Sequence, residues 1–382
     1  MRNAGERRLQ NFVTLLCALI FALFAFTFVA IYKSPEIEVV YDTIATGKLQ
    51  YNGYLLSAVF TLLLLGLALW LNRFAGFRRE WTAMAYIPSA LLLAFLTDID
   101  RSFFVGNYGF AVWVWVFGAG LLLYIGFSFI LNRMLFEKIK DSSAVAHRII
   151  WRNLILFVII FMAVGSLSDG DKDFRREALQ YNLFKKGDVD GALAVGGHSP
   201  ISSRQLSAQR AFLLSVKGEL AEKFFNYPVY FDSESLLPAV ERDAPIAPAL
   251  IYSHIGGERK VGELSLEFLS RVVARSDSAV VARDYYLMAL LAERRLVDFA
   301  DKIFEFYNVG DCNRLPKHYR EALMLYAHIL PSFDVAVDDT AMRERLCNMM
   351  QQAREYGNSS MCSYLMRLSY GDTYWWYFLY GE

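Results

Sequence analysis

Residues 12–32 read FVTLLCALIFALFAFTFVAIY and carry no charge. As a helix rising 1.5 Å per residue, that run covers the roughly 30 Å of a bilayer's hydrocarbon core. No comparable stretch belongs inside a small soluble fold, so the run constrains everything around it. Further apolar runs follow at about 53–72, 81–98, 109–131 and 151–167. Pro88 lies within the third, where it removes a backbone donor and predicts a kink. Trp70, Trp81 and Trp151 stand at run ends, the depth that indole rings favour. The first run follows Arg2, Arg7 and Arg8 as a signal peptide would. It is too long for such a segment and has no small-residue cleavage site, so it reads as an uncleaved anchor.

Charge follows the same division. Up to Leu167 there are 14 Lys/Arg against 9 Asp/Glu, and afterwards 25 against 30, within a chain of zero net charge. Nothing is basic enough to suggest nucleic acid. The segments before the first run, between the second and third, and between the fourth and fifth carry eleven Lys/Arg. The two alternate loops carry only Lys33, Lys48 and Arg101. Positive loops stay in the cytoplasm, so the N-terminus is expected there. Five spans then place the remainder on the periplasmic side of a cell inner membrane. Ionisable groups are absent from the middle of every run, which argues against ion-coupled transport.

From residue 169 the chain turns polar and helix-forming. Asp171 or Asp173 is the expected N-cap of the first helix. Asp169, Asp171 and Asp173 alternate as in a calcium loop, but Phe174 stands where that loop needs Gly and Gln180 where it needs Glu. The stretches LFKKGDVDGAL, LLSVKGELAEKFF and LLAERRLVDFADK resemble one another. Turn positions at Gly187, Gly218, Gly256, Arg295, Pro331 and Gly371 recur at intervals of 31–40 residues, as in stacked helix–turn–helix repeats. The expected fold is therefore all-α: a five-helix transmembrane bundle over 1–168, then a tetratricopeptide-like solenoid over 169–382. The chain ends on GDTYWWYFLYGE. This aromatic tail is expected to cap the last repeat by packing on a helix at 359–370; an interfacial anchor or a partner motif are the other readings.

Chemistry is sparse. His147, His198, His254, His318 and His328 form no ligand spacing, so no metal or cofactor is expected. Cys312, Cys347 and Cys362 would enter an oxidising space, where a disulfide is allowed. Two acidic clusters follow the first and third runs: Glu36, Glu38 and Asp42, then Asp98 and Asp100 beside Arg101. Transferases acting on lipid-linked sugars carry acidic pairs in external loops, as metal ligands or bases. Glu36, Glu38, Asp98 and Asp100 are the candidate catalytic residues on that reading. The simpler reading is that acidic residues accumulate where basic ones are excluded.

The segments ATGKLQYNGYLLSAVFTLLLLGLALWLNRFAGFRREW, LLLAFLTDIDRSFF, LPKHYREALMLY and YWWYFLYG together resemble an uncharacterised group of Bacteroidota inner-membrane proteins with an exported helical-repeat region. The resemblance implies a cell-envelope location and carries no catalytic residue. The favoured expectation is a scaffold whose contacts are the lipid bilayer and protein partners of an envelope complex. The alternative is a membrane transferase using the carboxylates above.

Overall fold

The structure, a computed structural model, describes residues 4–45, 51–75, 79–101, 110–134, 142–168, 171–197, 202–230, 232–238, 248–275, 280–307, 314–330, 337, 339–356 and 360–381. Among the described residues every regular element is helical and none is a strand. The chain divides into two compact units, 1–175 and 176–382, against the expected boundary at 168/169.

In the first unit α1 (Ala4–Thr27) ends in a π-helical turn (Phe28–Tyr32), followed by α2 (Ser34–Ala45), α3 (Gly53–Ala75), α4 (Ile87–Thr97), α5 (Phe110–Met134) and α6 (Ser142–Leu167). Pro88 sits in the first turn of α4, where its missing N–H costs nothing. The residues before it, Arg79–Tyr86, form a 3-10 segment broken at Trp81. Such irregular backbone needs a partner in an apolar setting. Asn153 of α6 supplies one: its Oδ1 accepts from the Ala83 N–H at 2.7 Å, and its amide donates to Ile149 O at 2.8 Å.

The bundle is apolar on both faces. In α1, Val13, Cys17, Phe21 and Ala25 recur every fourth residue and are buried. Phe12, Leu15, Leu19 and Leu23 point the other way and are each more than half exposed. Leu62 and Leu63 of α3, Leu122 and Leu123 of α5, and Ile155 and Met162 of α6 are equally exposed. In water a helix normally turns a polar face outward; one that is apolar all round is buried in protein or lipid. Three helices, Arg8–Tyr32, Gly53–Arg73 and Ala146–Leu167, are long and apolar enough to cross a membrane. The apolar stretches Trp81–Thr97 and Val112–Gly126 are shorter than the runs expected at 81–98 and 109–131.

A helix α7 (Lys172–Lys185) carries the boundary between the units. Its N-cap is Asp171, whose Oδ1 accepts from the N–H groups of Asp173 and Phe174, both at 3.0 Å. The second unit continues with α8 (Val189–Ala194), α9 (Arg204–Val216), α10 (Leu220–Lys223), α11 (Pro248–Ile255), α12 (Ser265–Val273), α13 (Val280–Ala292), α14 (Leu296–Phe306), α15 (Lys317–Ile329), α16 (Thr340–Tyr356), α17 (Ser360–Tyr370) and α18 (Tyr374–Tyr380).

Four of these helices end in one kind of turn. Gly187, Gly218, Gly256 and Arg294 all have positive φ. The following N–H reaches back five residues in each case: Asp188 to Leu183 O, Glu219 to Leu214 O, Gly257 to Tyr252 O and Arg295 to Leu290 O. This is the Schellman closure, which favours glycine at the left-handed position. The fourth turn was expected at Arg295 and centres on Arg294, at φ 58°, where a side chain is strained by about 1–2 kcal/mol. The turn expected at Pro331 lies outside the described residues. Packing is not confined to sequential neighbours: α10 contacts α13 and α15, and α15 contacts α18.

Candidate functional site

The first polar cluster lies where α1 gives way to α2. The π-helical turn closes with the Lys33 N–H on Phe28 O at 2.9 Å. The Lys33 side chain is buried, donating to Ser168 O at 2.5 Å and lying 3.4 Å from Glu36 Oε1. Glu36 is buried too, and its Oε2 has no hydrogen-bond partner. Burial pushes its carboxyl above the ordinary range, against the opposing pull of Lys33 and Arg175. Arg175 stacks on the Tyr32 ring at 3.7 Å, beside this pair.

Glu38 is also buried, on the same helix. Two residues apart on a helix is about 200°, so Glu36 and Glu38 face opposite ways. Asp98 caps the end of α4, and its Oδ2 accepts from the Trp113 indole at 2.6 Å. Asp100 and Arg101 are half-buried just beyond it. The candidate carboxylates thus take separate partners: Glu36 binds Lys33, and Asp98 binds Trp113.

Breaking the Lys33–Glu36 pair from one side leaves a buried charge alone. Lys33→Met is expected to destabilise the protein by about 3–5 kcal/mol, and Lys33→Met with Glu36→Leu by much less. The single variant's deficit should shrink as pH falls, because a protonated Glu36 needs no cation. Thermal unfolding in detergent at two pH values measures both effects.

Two polar nodes of the second unit tie distant segments together through a carboxylate. In the first, the Phe225 N–H donates to His318 Nε2 at 3.1 Å, so the ring's hydrogen sits on Nδ1. That Nδ1–H meets Glu321 Oε2 at 2.8 Å, and the same oxygen accepts from the Tyr374 N–H at 2.9 Å. His318 and Glu321 are both buried. The pair therefore joins three distant segments. Its only sequence signal is the three-residue spacing within KHYREAL, which puts both side chains on one helix face.

In the second node Asp284 Oδ1 accepts from the hydroxyls of Tyr307 and Tyr319, the latter at 2.9 Å. Burial raises the Asp284 carboxyl above its ordinary value, although both hydroxyls oppose this. A carboxyl raised on folding takes up a proton, so its contribution to stability is full at low pH and is lost as pH climbs through the raised value. Asp284→Asn should flatten that fall; pH-dependent urea unfolding would show it.

The aromatic tail is largely buried. Thr373 caps α18, accepting from the Trp376 N–H at 3.3 Å. Trp375 and Tyr374 are fully buried, and the Trp375 indole donates to Glu321 O at 2.7 Å. Tyr377 donates its hydroxyl to Ala292 O at 2.9 Å. Contact with the expected helix comes through the Trp376 indole, 3.3 Å from Ser363 O.

Beside the tail a cleft of about 230 Å³ opens between residues 225–229 and 367–377. Tyr227, Asn226, Arg367 and Trp376 line it. Among the described residues no three His, Cys, Asp or Glu side chains gather as a metal site. Cys347 is an exposed free thiol. Cys312, the Cys362 side chain and His198 lie outside the described residues.

Residues 263–381 match a family described as "Family of unknown function (DUF6057)". The match runs from the start of α12 through the aromatic tail, taking in the His318–Glu321 node and one wall of the cleft. No curated protein and no solved structure matches the chain.

Proposed function

We propose that the chain is an integral membrane scaffold: a bundle embedded in a bilayer, carrying a helical-repeat unit that binds protein partners. The outward apolar surface of the first unit carries the membrane part of this reading, since only lipid or protein could cover it. The five apolar runs and the eleven-to-three basic asymmetry support five spans, a cytoplasmic N-terminus and a periplasmic second unit in a bacterial inner membrane. The recurrent Schellman turns support a solenoid origin for the second unit, even though its tail and α10 close the array on itself.

The cleft beside the tail supports partner binding. Trp, Tyr and Arg are the side chains that dominate protein interfaces, and Trp376, Tyr227 and Arg367 converge there. A photo-reactive residue at position 367 of the full chain in native membranes should give one discrete protein adduct. The same probe at Val261, 89% exposed and outside the cleft lining, should give none. Equal labelling at both positions, or none at either, would contradict a partner at the cleft.

The second reading, a transferase acting on a lipid-linked substrate, rests on Glu36, Glu38, Asp98 and Asp100. Only Glu36 keeps an unpartnered buried oxygen, and Lys33 occupies its other one. The scaffold reading is favoured because these carboxylates are spread over opposite helix faces and separate partners.

A further inference from the structure

An apolar cleft of about 400 Å³ opens in the first unit, beside the Lys33–Glu36 helix. Its walls include Ile37, Tyr41 and Ile44 on one face of α2, Phe60 of α3, and Leu96 and Ile99 at the end of α4. We propose that it holds one acyl chain of a membrane phospholipid, and that the carboxylates adjoining its lining residues along the chain select an ammonium-bearing headgroup over an anionic one. The proposal rests on the bundle lying in a bilayer.

Water is a poor occupant. The lining is apolar apart from the hydroxyls of Tyr41 and Thr97, and that of Thr97 already donates to Leu93 O at 2.7 Å. The mouth meets the outward apolar surface: Ile44 is 71% and Leu96 40% exposed, and Leu55 and Val59 beside the α3 wall are exposed as well. Among the described residues, the mouth therefore presents an apolar entrance to an alkyl chain from the surrounding lipid.

Charge supplies the choice of headgroup. Residues 33–48 and 95–101 contain five carboxylates, Glu36, Glu38, Asp42, Asp98 and Asp100, against three cations, Lys33, Lys48 and Arg101, and Arg175 beside Glu36 is a fourth. Lys33 is already engaged with Glu36 and Ser168 O. The excess is negative, which attracts an ammonium and repels a phosphoglycerol.

The test uses the full chain in nanodiscs, containing phosphatidylethanolamine or phosphatidylglycerol with a diazirine midway along one acyl chain. Adducts are mapped by peptide mass after irradiation. Labelling is expected on residues 37–44 and 95–99, several-fold stronger from phosphatidylethanolamine, together with labelling of outward residues such as Leu19 and Ile155. Val40→Trp, which fills the cleft, should suppress the first group and spare the second; Leu56→Trp repeats the test from the opposite wall. Adducts on the outward residues alone, or cross-links between chains at 37–44, would overturn the acyl-chain site. Equal yields from the two lipids would overturn the headgroup choice. Labelling of neither group would overturn the bilayer reading as well, which separates the two failures.

Discussion

Trp375→Ala is expected to cost the second unit about 3–5 kcal/mol, enough to unfold it or nearly so. The indole is completely buried where α18 meets α15, and alanine would leave a large void there. It would also strip Glu321 O of the indole hydrogen bond. Trp375→Phe separates the two contributions, keeping most of the volume while losing the donor, and should cost about 1–3 kcal/mol. Denaturant unfolding of the full chain in detergent, followed by tyrosine and tryptophan fluorescence, measures both. A tail that merely brushed the surface would give a change below about 0.5 kcal/mol for either variant.

Glu321→Ala should be of similar severity for a different reason. The carboxylate accepts from His318 Nδ1–H and from the Tyr374 N–H, both in the interior. Removing it strands two buried donors, at about 1–3 kcal/mol each. Glu321→Gln keeps one acceptor oxygen and should recover part of the loss. Hydrogen exchange gives the sharper readout. The Tyr374 and Phe225 amides should lose protection together in Glu321→Ala, because His318 is held in place by the same carboxylate. Loss of protection at Tyr374 alone would show that the histidine stands without its carboxylate.

These two residues also mark the limit of what could be read from the chain. Local features were legible because local physics sets them. Asp171 caps a helix through amides two and three residues on, and Gly187, Gly218 and Gly256 stand where a left-handed turn needs no side chain. Arg294 shows the edge of that logic, since a charged residue takes the conformation that three glycines take elsewhere. Three of the five apolar runs form helices long and apolar enough to cross a membrane, which their length in the sequence already suggests. The break before Pro88 was legible too, although its form, a 3-10 segment held by an asparagine seventy residues away, was not.

What stayed hidden joins distant positions. Lys33 reaches Ser168 O across 135 residues, His318 meets Phe225 across 93, and Glu321 meets Tyr374 across 53. Each residue looks ordinary in its own segment. The same holds for the acidic candidates: an alternating Glu-Ile-Glu pair faces one way on a strand and opposite ways on the helix that actually forms. The aromatic tail meets the helix at 359–370 as its sequence suggests, whereas its deeper partners, Glu321 and Ala292, lie far upstream.

The proposed scaffold needs lipid around the first unit, basic flanks in the cytosol and the second unit across the membrane. Fusing alkaline phosphatase, and separately green fluorescent protein, after Glu382 tests this most directly. An active phosphatase with a dark fluorescent fusion is the predicted result. A bright fluorescent fusion with an inactive phosphatase would put the second unit in the cytosol and contradict it.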